Sequence, residues 1–163
     1  MGYYSTINLP FGLAYLVEQN GHLTHFLFEK ENLGSLINLD LEERDTELLK
    51  NAKLQLEEYF KGKRKVFTIP LSLEGTAFQK KVWGALLSIP YGESRSYSDI
   101  AHAIGKPRAV RAIGQANKRN ALPIMVPCHR VIGKNRTLTG YAGNEIDKKA
   151  LLLDIEKISY QVN

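Results

Sequence analysis

The chain has 163 residues, 44% of them apolar, with a formal charge of +5, which suits one domain or two small ones around a real hydrophobic core. Its start, "MGYYSTINLPFGLAYLVEQNG", lacks the basic and apolar regions of a signal peptide, and no apolar run approaches the ~20 residues that span a bilayer. One cysteine excludes an internal disulfide and a CxxC zinc pattern, so a reducing cytoplasm is expected, with no membrane association and no metal site.

Taken in chain order, "GLAYLVEQNGHLTHFLFE" predicts two strands around Asn20-Gly21, a strong short hairpin signal. "DTELLKNAKLQLEEYFKG" then places Leu48, Leu49, Ala52, Leu56, Tyr59 and Phe60 at helical spacing, from near Asp45 to a stop at Gly62. The basic cluster "KGKRK" leads into "VFTIPLSLEG", read as a short strand and a linker. His22 and His25 flank a strand without carboxylates at ligand spacing, so they are read as surface or packing residues. Nothing in this part resembles a catalytic motif, and it is read as a scaffold.

The second part changes character. Residues 1–75 carry 8 Lys and Arg against 11 Asp and Glu, whereas residues 76–163 carry 14 against 6. Between Arg95 and Arg136 nine basic residues meet one acid, Asp99, which suggests a polyanionic partner or, more plainly, a solvated basic face. "GTAFQKKVWGALLSIPYG" predicts a helix with Thr76 as N-cap, Phe78, Val82, Trp83, Leu86 and Leu87 on one face, and Pro90 and Gly92 beyond its end. "SYSDIAHAIGKPRAVRAIGQANKRN" predicts a short helix, a Gly105-Lys106 turn and a second helix opened by Pro107, with Val110 and Ile113 toward the core. That helix carries Arg108 and Arg111 with small residues at Ala109, Ala112 and Gly114. A slim face serves either close helix packing or approach to a nucleic-acid groove, and the coincident basic stretch favours the groove.

The only cysteine lies in "IMVPCHRVIG". Free cysteines are often buried and inert. Here Pro123 and Pro127 bracket the approach, implying a stiff, extended chain. His129 and Arg130 are suited to generating a thiolate from a thiol whose ordinary pKa is about 8.5. If the stretch is extended, Cys128 and His129 point to opposite faces, so a bridging water is expected between them.

The order helix-turn-helix, "NKRNALPIMVPCHRVIG", "GYAG" and a terminal amphipathic helix resembles the O6-alkylguanine-DNA alkyltransferases (methylated-DNA–protein-cysteine methyltransferases) over about residues 75–156. "PCHRV", preceded by "NALPIMV" and followed by Tyr141 thirteen residues after the cysteine, is the specific part. The resemblance implies that Cys128 accepts the alkyl group from O6-alkylguanine, and by extension O4-alkylthymine, in one irreversible turnover without a cofactor. It implies that His129 deprotonates Cys128 through water and that Glu156 orients His129. An ungapped match would put Ile155 in that last place, so one inserted residue is expected in "GYAGNEIDKK", where Asn144 also replaces the usual second glycine. Tyr97 is implied as hydrogen-bond donor to the flipped guanine, Arg111 as the residue that fills the duplex, and Asn120 as the hinge. Pro123, Val131 and Tyr141 fall at pocket positions, with Ala142 where some members have serine.

The implied fold is α+β: a small N-terminal β-hairpin/sheet-plus-helix domain over 1–74, and a mostly helical C-terminal domain over 75–163 with a DNA-binding (winged) helix-turn-helix. The expected partner is double-stranded DNA carrying O6-alkylguanine, and the expected state is a monomer. Two other readings stand beside this one. A damage-binding helix-turn-helix protein without chemistry would not need Cys128. A cysteine hydrolase would need an oxyanion site, where Pro127 removes a backbone donor.

Overall fold

The computed structural model describes residues 1–28, 36, 39–138 and 145–161, with side chains from 148 onward in the last segment. The chain divides into two compact units, Met1–Leu73 and Glu74–Asn163.

The first unit is a four-stranded sheet with one helix. Strands β1 (Gly2–Leu9), β2 (Gly12–Gln19), β3 (His22–Leu27) and β4 (Leu41–Glu43) lie in the order β3-β2-β1-β4. Asn20 and Gly21 join β2 to β3 with φ of 53° and 75°, the pair of left-handed residues that a type I′ hairpin requires. Helix α1 (Glu47–Phe60) is capped by Thr46, which accepts the Leu49 N–H, and buries Leu49, Ala52, Leu56 and Tyr59. It packs on β1, β2 and β3 over Ala14, Leu16, Leu23 and Phe26, all essentially buried. Each such side chain contributes roughly 1.5–3 kcal/mol of transfer free energy.

Two expectations change here. β1 and β4 add strands that the hairpin reading lacked. The stretch 66–72 forms no strand, only an isolated bridge of Leu71 to Leu23, with the Leu23 N–H donating to Pro70 O at 2.8 Å. Pro70 has no N–H to extend a ladder.

In the second unit, α2 (Ala77–Leu87) opens with a capping box in which Thr76 and Gln79 each accept the other's backbone N–H. Val82, Trp83 and Leu86 are buried, but Leu87 is 49% exposed, one residue's rotation past the core face. Ser96 and Asp99 form a second box at α3 (Tyr97–Ala103). Gly105 (φ 73°) turns the chain toward α4 (Val110–Lys118).

Pro107 does not open α4. A turn from Lys106 to Ala109, closed by the Ala109 N–H to Lys106 O at 2.9 Å, places Pro107 at the position where its fixed φ suits a turn. Arg108 therefore precedes the helix, and Ala109 is its N-cap. Val110 is 41% exposed, and Ile113, Ala116 and Asn117 supply the buried side instead. Trp83 locks α2 to α4 by donating its Nε1–H to Ala116 O at 3.0 Å.

Strand β5 (Arg95–Ser96) pairs in parallel with β6 (Val131–Ile132). This pairing sets the start of α3 beside the chain that leaves the cysteine. Helix α5 (Glu145–Ile155) packs on the turn that carries the cysteine, and its Leu153 joins Ile132 and Ile158 in a local core.

Candidate active site

Cys128, His129 and Arg130 form a single 3-10 turn, not an extended strand. Pro127 adopts φ −80° and ψ 65°, and the Cys128 N–H donates to Val126 O at 2.7 Å, an inverse γ-turn at the proline. With three residues per turn, adjacent side chains diverge by about 120° rather than pointing oppositely. The premise that set Cys128 and His129 on opposite faces is therefore removed.

The approach is also turned. Ile124 takes φ 74° while only 1% exposed, a left-handed conformation that costs a β-branched residue about 1–3 kcal/mol. Asn120 holds this loop, donating from Nδ2 to Val126 O (2.9 Å) and accepting the Leu122 N–H at Oδ1 (2.9 Å). Asn117, buried in α4, donates to the carbonyl of Cys128 itself at 3.3 Å. The sulfur is thus carried on a backbone clamped by two asparagines.

Behind the cysteine lies a buried polar network. His129 Nε2 meets Glu156 Oε2 at 2.6 Å, and both side chains are fully buried. Arg130 forks onto the same carboxylate, with Nε to Oε1 at 2.8 Å and Nη2 to Oε2 at 3.2 Å, while Nη1 donates to Ile89 O at 2.7 Å. The Gly92 N–H adds a further donor to Oε1 at 3.1 Å. Glu156 follows directly on α5, and the geometry selects it over Ile155 as the partner of His129.

Burial pushes the His129 pKa below its ordinary value; the Glu156 hydrogen bond and charge oppose that shift, and the Arg130 and Lys149 charges reinforce it. Lys149 is fully buried, and its Nζ donates to Val131 O at 2.6 Å. The ammonium lies 6.0 Å from the centre of the Tyr97 ring. Burial pushes its pKa down to about 8, and the nearby Cys128 charge raises it.

The structure brings Cys128, His129 and Glu156 into one region, with Tyr97 linked to it through Lys149 and β5–β6 pairing. Val131 is fully buried, and Pro123 and Asn120 are half-buried in the loop before the cysteine. Tyr141, Ala142 and Asn144 lie outside the described residues. Arg108, Arg111 and Ala112 are exposed, Ala109 and Gly114 half-buried. A methyl group added at Gly114 would meet nothing within 4 Å, so close packing within the described chain does not require this glycine. Together with Gln115 and Lys118, these residues leave a slim, cationic outer face on α4.

Sequence reasoning missed Lys149, Asn117 and the fork of Arg130. "DKKALLLDIE" reads as a solvated charged start, yet Lys149 sits three and four residues before the fully buried Leu152 and Leu153, on their face of the helix. Among the described residues no three His, Cys, Asp or Glu side chains are placed to hold a metal, and no helix is long and apolar enough to cross a membrane.

Comparison with known proteins follows the same division. The family model described as 6-O-methylguanine DNA methyltransferase, ribonuclease-like domain, matches residues 2–73, and that described as 6-O-methylguanine DNA methyltransferase, DNA binding domain, matches residues 77–158. The chain is 55% identical over 163 residues to the constitutive methylated-DNA–protein-cysteine methyltransferase of Bacillus subtilis, covering 99% of each chain. It is 47% identical to the methylated-DNA–protein-cysteine methyltransferase of Methanosarcina barkeri, covering 95% of this chain and 97% of the other. Among solved structures, Mycobacterium tuberculosis OGT in complex with DNA matches with a TM-score of 0.86 and 42% identity, over 95% of this chain and 92% of that one.

Proposed function

The chain belongs to the O6-methylguanine DNA methyltransferase family, and from that premise we propose that it repairs O6-alkylguanine in double-stranded DNA by transferring the alkyl group to its own Cys128. The observation that carries this reading is the buried thiol on a clamped turn, directly followed by a histidine whose far nitrogen is held by a buried carboxylate.

The chemistry follows from that arrangement. An alkyl ether carbon develops no oxyanion, so the reaction needs a thiolate in line with the carbon and a proton for the departing base. His129 donates Nε2–H to Glu156, which leaves the lone pair on Nδ1 to take the Cys128 proton, directly or through a water. The neighbouring Lys149 ammonium favours the thiolate. The sulfur–carbon bond forms as the carbon–O6 bond breaks. Guanine leaves with a proton supplied from the site, and Tyr97 at the start of α3 is the donor assigned to it. The product is a thioether, which thiol exchange does not reverse, so each molecule acts once and no cofactor takes part.

A stacked base cannot present its O6 substituent to a buried sulfur, so the nucleotide must leave the duplex. The outer face of α4 supports minor-groove entry. Ala112 and Gly114 let the backbone approach, Arg108 and Lys118 meet phosphates, and Arg111 fills the vacated stack. The protein acts as a monomer in the cytoplasm.

The test is intact-mass and peptide analysis after incubation with a duplex containing O6-methylguanine. A gain of one methyl on the Cys128 peptide, absent in Cys128→Ser, is the expected result. Tight binding of the damaged duplex without any mass change would replace this reading with that of a damage-binding protein.

A further inference from the structure

We propose that Arg130 is a positioning residue for the transfer: its guanidinium, forked onto both oxygens of Glu156, offsets the buried carboxylate so that His129 rests as a neutral imidazole able to accept the Cys128 proton. This rests on the reading of Cys128 as the acceptor.

A buried carboxylate 2.6 Å from an imidazole would by itself favour an imidazolium, because an uncompensated charge away from water is strongly disfavoured. An imidazolium at rest has no lone pair to offer and could not serve as a base. Arg130 removes that tendency in three ways. Its Nε and Nη2 bonds take up one position on each carboxylate oxygen, and Gly92 takes another on Oε1. Its charge already neutralises the carboxylate, so a proton on His129 would add an unmatched buried cation beside Lys149. Its third nitrogen is fixed by Ile89 O, and its plane faces Tyr91 at 5.7 Å, so the fork cannot swing away. Tyr91 donates in turn to Ile155 O at 3.3 Å, closing the ring of contacts around Glu156. The groups facing the imidazole are therefore Glu156, Arg130 and Lys149, and the two cations outweigh the single anion.

When Cys128 gives up its proton, the balance reverses. The imidazolium then faces a thiolate, and the pair is formed at the moment the sulfur needs to attack. A neutral resting state and a charged working state are the two conditions that Arg130 reconciles.

The experiment combines His129 ring titration by NMR with pH–rate profiles for reaction with free O6-benzylguanine, for the wild type, Arg130→Gln and Arg130→Lys. In the wild type the His129 ring is expected to stay neutral to below its ordinary value near 6.5. In Arg130→Gln the ring pKa and the acid limb of the rate profile should move up together by about one unit or more, with a loss of about tenfold or more at pH 6 that shrinks as pH rises. Arg130→Lys keeps the charge and should leave the acid limb near its wild-type place. A uniform rate loss at every pH, or an equal limb shift in both variants, would overturn the proposal. So would an imidazolium at pH 7 in the wild type, a result that needs neither variant to fold. Failure of the wild type to take up a benzyl group on Cys128 would instead strike the acceptor reading, and the ring titration would still decide the role of Arg130.

Discussion

The two units bury different things. In Met1–Leu73 the buried polar side chains are Ser5 and Gln55, whose bonds tie sheet, helix and loop together. In Glu74–Asn163 they are Asn117, His129, Arg130, Lys148, Lys149 and Glu156, five of them ionisable. Burying charge is costly even when it is paired, and an apolar set of the same volume is often as stable or more so. The first unit follows the rule for a stable core. The second departs from it around one sulfur, and such departures gather where chemistry is done.

The sharpest way to break this contrast is to cut each core once. Glu156→Gln leaves Arg130 and Lys149 without a buried anion, so it should cost about 3–5 kcal/mol of stability. The same change should reduce transfer to Cys128 by about 100-fold or more. Leu49→Ala opens a cavity in the first unit at a similar cost of about 2–5 kcal/mol, yet the transfer rate per folded molecule should stay within about twofold. Denaturant melts beside single-turnover rates would check both, and equal rate losses would erase the distinction between the units.

Lys149 offers a test through pH. Its folded pKa of about 8 lies below the unfolded value of 10.5, so the penalty for holding the ammonium is full below pH 8 and disappears above 10.5. Wild-type stability, measured relative to Lys149→Met, should therefore rise by about 3 kcal/mol across that window. A flat difference would mean that the ammonium is not buried at such a cost.

Arg111→Ala should slow repair of duplex O6-methylguanine by about 10- to 100-fold, the worth of stabilising one extruded base, while reaction with free O6-benzylguanine stays within about twofold. Equal losses would move Arg111 out of the flipping role. The smallest effect is expected at Gly114. Gly114→Ala should stabilise the fold by about 0.5–1 kcal/mol, because a helix gains and nothing is displaced, while duplex affinity falls as the slim face thickens. Unchanged affinity would return Gly114 to a neutral surface position.

What the sequence made legible was local. Asn20-Gly21, the boxes at Thr76 and Ser96, and the adjacency of Cys128 and His129 are short-range signals, and each has a physical cause within a few residues. The strand β1 was hidden because Ser5 breaks the apolar alternation of its buried side. The start of α4 was misplaced because proline suits a turn as well as a first helical position. The turn at Ile124 was invisible, since the asparagines that impose it act through side-chain bonds rather than through backbone preference. Glu156 was reachable only through a likeness with one inserted residue, and the fork of Arg130 joins positions 26 residues apart. Most of the fold was readable in outline, whereas the electrostatics of the site depended on contacts that no local pattern carries.

The central claim is that the alkyl group ends, and remains, on Cys128. Incubation with an excess of O6-methylguanine duplex, counting restored guanines per protein molecule, tests it most directly. The account predicts a plateau at one per molecule, with one methyl on the Cys128 peptide. Continued turnover, or a plateau with Cys128 unmodified, would contradict it.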